Sequence, residues 1–89
     1  MIRVLFFASL REAVGRSECE IPLPPGADDG SPFGVEALMA ELRRRLAAGA
    51  YAALIAENVR IAVNRELVDG AVALRAGDEV AFLPPVTGG

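Results

Sequence analysis

Histidine, lysine and tryptophan are absent from this 89-residue chain, and cysteine occurs once, at Cys19. Without histidine there is no Ser-His or Cys-His nucleophile pair, no imidazole general base and no histidine metal ligand. A single cysteine excludes an intrachain disulfide, a thiolate metal cluster and an iron–sulfur centre of the ferredoxin type. All nine basic residues are arginine, so no side-chain amine is offered for a Schiff base or for self-attachment through an isopeptide bond. No apolar run approaches the ~18 residues of a membrane span, and the start lacks the layout of a signal peptide. The expectation is a cytoplasmic protein that meets no membrane. The net charge of −3 speaks against an electrostatic nucleic-acid binder.

What is present fits one small globular domain: 53% hydrophobic and 24% charged residues. About 60% of the surface of so short a chain is buried on folding, enough for one modest core but not for an enclosed substrate pocket. Residues 2–8 form a nearly continuous apolar run, as in a strand covered on both faces. Ile2, Val4 and Phe6 share one face, and Leu5 and Phe7 the other. Residues 11–16 read as a connection of up to one helical turn, with Gly15 free to take positive φ. Cys19, Ile21 and Leu23 then alternate with Glu18, Glu20 and Pro22, the pattern of an edge strand antiparallel to the first.

Residues 24–34 hold three prolines and three glycines and read as loop. Asp28 and Asp29 within it read as a solvated turn in preference to a metal site. From Val35 to about Ala48, the residues Val35, Leu38, Met39, Leu42 and Leu46 fall within about 100° of arc, which predicts a helix stopped at Gly49. Arg43, Arg44 and Arg45 read as its solvated face. Residues 50–57 add a short helical turn. Val59, Ile61 and Val63 then alternate as a strand, Asn64-Arg65 forms a tight turn, and a short strand surrounds Leu67 and Val68. Turn signals follow at Asp69-Gly70 and at residues 76–78, and residues 79–83 form the last strand, ended by Pro84 and Pro85.

The expected fold class is α+β: a β-grasp, ubiquitin-like arrangement with a mixed sheet of about five strands and one main helix packed on one face. The first and last strands lie side by side, so that Val80 and Phe82 meet Val4 and Phe6. The domain spans residues 1–83, and residues 84–89 form a tail.

Side-chain chemistry is nearly absent. Burial and neighbouring glutamates disfavour a Cys19 thiolate, and Ser9 and Ser17 have no base. What remains is Pro84-Pro85-Val86-Thr87-Gly88-Gly89. It reads either as a frayed end or as a functional carboxylate. A diproline stiffens the exit from the sheet. Glycines without Cβ enter a narrow channel, and an unhindered glycyl carbonyl is open to activation as an acyl-adenylate.

The segments Met1–Ala8, Arg11-Glu12 with Val14-Gly15, Val35–Leu38, Ala62–Asn64 with Leu67-Val68, and above all Gly77–Gly89 resemble the small subunit of molybdopterin synthase. The resemblance covers nearly the whole chain and departs from it in the loop of residues 24–34. It implies a sulfur carrier that itself binds no cofactor. The Gly89 carboxylate is adenylated by an E1-like enzyme using ATP, then converted to a thiocarboxylate by a sulfur donor. The tail, Pro84 to Gly88, inserts into the large catalytic subunit, and sulfur passes to cyclic pyranopterin monophosphate to build the molybdopterin dithiolene. The implied assembly has two small and two large subunits, with this chain as the non-catalytic donor. The partner-facing positions implied by the resemblance are Phe7, Leu67 and Leu83. Strand parity independently places Leu5, Phe7, Ala81 and Leu83 on a sheet face away from the helix. The rival is that residues 50–57 cover this face. Rival functions are a sulfur carrier for thiamin thiazole synthesis, a ubiquitin-like protein modifier and a plain β-grasp interaction module.

Overall fold

Strand β1 (Ile2–Phe6) buries Ile2, Val4 and Phe6 and leaves Arg3 exposed, as its alternation requires. The computed structural model describes residues 1–23, 33–69 and 72–84. Asp28, Asp29, Gly70 and residues 85–89 therefore lie outside the described residues. The further elements are α1 (Ala8–Val14), β2 (Glu18–Ile21), α2 (Val35–Arg45), α3 (Ala48–Leu54), β3 (Arg60–Val63), β4 (Glu66–Val68) and β5 (Glu79–Leu83).

The five strands form one mixed sheet in the order β2-β1-β5-β3-β4. The central pair β1 and β5 is parallel, with Val4 opposite Val80 and Phe6 opposite Phe82. The Phe6 and Phe82 rings stack with centroids 5.9 Å apart. The edge strand β2 runs antiparallel to β1, placing Glu18 opposite Leu5 and Ile21 opposite Ile2. The side-by-side placement of β1 and β5, with Val80 and Phe82 beside Val4 and Phe6, and the antiparallel β1–β2 pairing are those expected from the apolar runs. Ile21, Leu38, Leu42, Leu54, Leu10 and Val63 complete one core with the inward faces of β1 and β5. Burying these side chains supplies the main driving force, at about 25 cal/mol per Å².

Three features differ from the sequence expectation. The connection between β1 and β2 is a two-turn helix, α1, longer than the single turn expected. Burial of Leu10 draws it onto the core, and Gly15 at φ 88 closes it by donating to the Arg11 carbonyl at 2.9 Å. The long helix ends at Arg45, with Leu46 and Ala47 extended, and Gly49 lies inside α3 instead of stopping α2. The break redirects the chain so that α3 buries Ala50 and Leu54 and packs chiefly on α1. Among the described residues, one layer of three helices therefore covers the sheet face, with α2 as the main helix and α1 and α3 beside it. The arginines at the end of α2 are solvated, as expected, and Arg45 and Arg44 donate to Glu41 at 2.8 and 3.3 Å.

The third difference is Phe33, expected in the loop but buried in the core with Leu74. Gly34 and Ala73 form an isolated antiparallel bridge. The Leu74 N–H donates to the Phe33 carbonyl at 2.7 Å, and the Val35 N–H to the Val72 carbonyl at 3.0 Å. The backbones approach closely here: a Cβ on Gly34 would stand 3.0 Å from the Val72 oxygen.

Candidate functional site

The three helices among the described residues pack on one face of the sheet, and no other described element forms a layer on the opposite face. Residues 50–57 lie with α1 and α2 and do not cover it. The open face carries Arg3 and Leu5 from β1, Phe7 just beyond it, Glu79, Ala81 and Leu83 from β5, Ala62 from β3 and Arg65 and Leu67 from the β3–β4 hairpin. These residues line one open depression of about 570 Å³. The three residues implied by the resemblance, Phe7, Leu67 and Leu83, are thus brought together. Phe7 and Leu67 are 43% and 63% exposed, and Leu83 is half-buried. Together they make an exposed apolar patch on the sheet.

Ala62 and Ala81 pair across β3 and β5 and form the floor of the depression. They are only 6% and 7% exposed, because the larger side chains around them stand above. The depression exists because both positions carry a methyl group. Strand parity points to Ala81. It does not single out Ala62, whose role follows from the register with β5.

The described chain ends beside this surface. Leu83 lies opposite Arg60, and the Phe7 N–H donates to the Phe82 carbonyl at 3.2 Å, so the chain leaves the sheet between Phe7 and Arg60. Pro84, half-buried, ends the ladder, as expected of a residue that cannot donate to it. The remaining tail residues, Pro85, Val86, Thr87, Gly88 and Gly89, lie outside the described residues.

The far end of the depression is built from charges and a hydrogen-bonded clamp. Arg3 donates from Nε to Glu18 at 2.8 Å. Asn64 Nδ2 donates to Asp78 Oδ1 at 3.1 Å, while Asn64 Oδ1 accepts from the Glu79 N–H at 3.0 Å. The Asn64 N–H donates to the Glu79 carbonyl at 2.8 Å. Asp78 in turn accepts from the Arg75 N–H at 2.8 Å. The Arg3 N–H donates to the Asp78 carbonyl at 3.0 Å, so β1, β3 and β5 are tied together here.

Cys19 takes no part in this face. It packs half-buried against the core, and burial first pushes its thiol up, against the opposing pull of Arg16 and Arg45. Glu18 adds to the rise, but burial is the larger cause, so the glutamates matter less than their sequence proximity suggests.

A mixed sheet in this order, with helices packed on one face, defines the class: a ubiquitin-like β-grasp protein. The chain belongs to the ThiS family, whose profile matches residues 4–89. It is 46% identical over 92 positions to the molybdopterin synthase sulfur carrier subunit of Escherichia coli (strain K12), with both chains covered in full. The crystal structure of SAMP1 from Haloferax volcanii matches with a TM-score of 0.75 over 99% of this chain and 98% of that one; at 22% identity it shows the fold alone. A chain from the protein–protein complex of subunits 1 and 2 of the molybdopterin-converting factor of Helicobacter pylori 26695 matches with a TM-score of 0.64. It is 26% identical, over 99% of this chain and 97% of that one. Among the described residues, no helix is long and apolar enough to cross a membrane.

Proposed function

We propose that this chain is the sulfur carrier subunit of a molybdopterin synthase, acting in the cytoplasm. The observation that carries the reading is the 46% identity to the Escherichia coli carrier over the full length of both chains. The face of Phe7, Leu67 and Leu83, uncovered among the described residues and beside the tail exit, supports it.

The Gly89 carboxylate attacks the α-phosphate of ATP on an E1-like enzyme, giving an acyl-adenylate and releasing pyrophosphate. Sulfur from a donor displaces AMP and leaves a thiocarboxylate. The face then docks on the large subunit and the tail enters its pocket. The thiocarboxylate sulfur passes to cyclic pyranopterin monophosphate, and oxygen from water restores the carboxylate. Glycine suits both acyl steps, because no side chain shields its carbonyl. The large subunit supplies the catalytic side chains, in an assembly of two small and two large subunits.

The test is reconstitution of molybdopterin formation with the cognate large subunit, an adenylating enzyme, ATP and sulfide. Intact mass should show one terminal oxygen replaced by sulfur. A chain that takes up no sulfur, or whose thiocarboxylate yields no dithiolene with that subunit, would refute the proposal.

A further inference from the structure

The β3–β4 connection has two residues, Asn64 and Arg65, between the paired Val63 and Glu66. Both are left-handed, at φ 50 and φ 70, which makes a type I′ turn. The second position of that turn favours glycine above all, because a Cβ is crowded there. The chain places an arginine in it.

Asn64 has a local reason for its conformation, since its side chain clamps Asp78 and Glu79. Arg65 has none: among the described residues its side chain makes no hydrogen bond and no ion pair. It instead lines the depression beside Leu67, Ala62 and Glu79. The other arginine on that rim, Arg3, is already held by Glu18. A cation at the border of an apolar surface is costly to cover unless the covering partner brings it a carboxylate. A planar guanidinium fits a carboxylate through two parallel hydrogen bonds.

We propose that Arg65 is a specificity residue of the docking face, and that its guanidinium receives a carboxylate side chain of the large subunit. This rests on the docking reading above. The strained turn is then a device for presentation: the Asn64 clamp fixes the turn, and the turn holds the guanidinium at the edge of the depression.

The experiment measures affinity for the cognate large subunit, its salt dependence, and the melting temperature of the free carrier. Arg65→Gly should raise Tm by about 3 °C, because glycine relieves the left-handed strain. The same variant should bind about tenfold more weakly, with a flatter salt dependence. Arg65→Glu should bind about a hundredfold more weakly. Stability gained with affinity lost separates a docking role from a structural one. Wild-type affinity and salt dependence in Arg65→Gly would overturn the inference, as would a fall in Tm. Phe7→Ala is measured in parallel. If it weakens binding and Arg65→Gly does not, the inference about Arg65 fails and the docking face stands. If neither weakens binding, the docking reading itself fails.

Discussion

On the carrier mechanism, the Gly89 carboxylate carries the chemistry. Deletion of Gly89 shortens the reach of the tail by about 3.5 Å. A misplacement of about 1 Å can already cost two orders of magnitude when reacting atoms must align. The truncated chain should therefore fold and dock normally, while molybdopterin formation falls by at least about a hundredfold in the reconstituted assay. Phe7 and Leu83 should show the reverse pattern. Truncating either to alanine removes an apolar anchor from the open face, weakening the complex by about 2 kcal/mol in calorimetric titration. Thermal stability should change little, since neither belongs to the buried core. Ala81→Leu tests the shape of the same surface: it fills the floor of the depression and should weaken binding at least about tenfold, with the fold retained on circular dichroism.

The β3–β4 hairpin is the element that ties the sheet together at the charged end. Asn64 takes part in three hydrogen bonds with Asp78 and Glu79, joining the β3–β4 turn to the start of β5 and the residue before it. Asn64→Ala loses the two side-chain bonds and forces an alanine into the left-handed region. It should lower unfolding free energy by about 2–3 kcal/mol in urea titration. Asn64→Gly keeps the backbone conformation and loses the same side-chain bonds, so it should recover about 1 kcal/mol of that loss. Equal stability of the two variants would show that the clamp, not the turn conformation, governs this element. The tight turn is readable from Asn64-Arg65 in the chain. The clamp is not, because Asp78 stands fourteen positions away and meets Asn64 only once β3 and β5 are paired.

At the scale of the molecule, one core supports both faces of the sheet. The stacked Phe6 and Phe82 hold the parallel central pair under the helices, and the same strands present Leu5, Ala81 and Leu83 outward. Phe82→Ala should cost about 3–5 kcal/mol, against a total stability at the low end of the usual ~5–15 kcal/mol for so small a domain. The isolated variant should be largely unfolded at 25 °C, with a collapsed near-ultraviolet or amide-dispersion signal. Binding to the large subunit should then be lost through folding, in contrast to Phe7→Ala, which loses it while folded.

Alternation within each strand is a local property, so the chain alone determined which side of β1 and β5 is apolar inward and which outward, and with it the exposed row Leu5, Phe7, Ala81 and Leu83. It also determined the strand ending at Pro84 and the glycine-ended tail that carries the chemical proposal. Contacts between residues distant in sequence decided the rest. Gly34 and Ala73 meet only through the tertiary bridge, which turns Phe33 from a loop residue into core. The extended pair Leu46-Ala47 interrupts an otherwise continuous helical periodicity because α3 finds its partner in α1, on the covered side of the sheet. That choice of side leaves the face proposed for docking without a layer among the described residues. Ala62 and Arg65 joined that face for the same physical reason: hydrophobic period fixes the face of a strand, but only its register against a neighbour fixes which side chains stand next to one another.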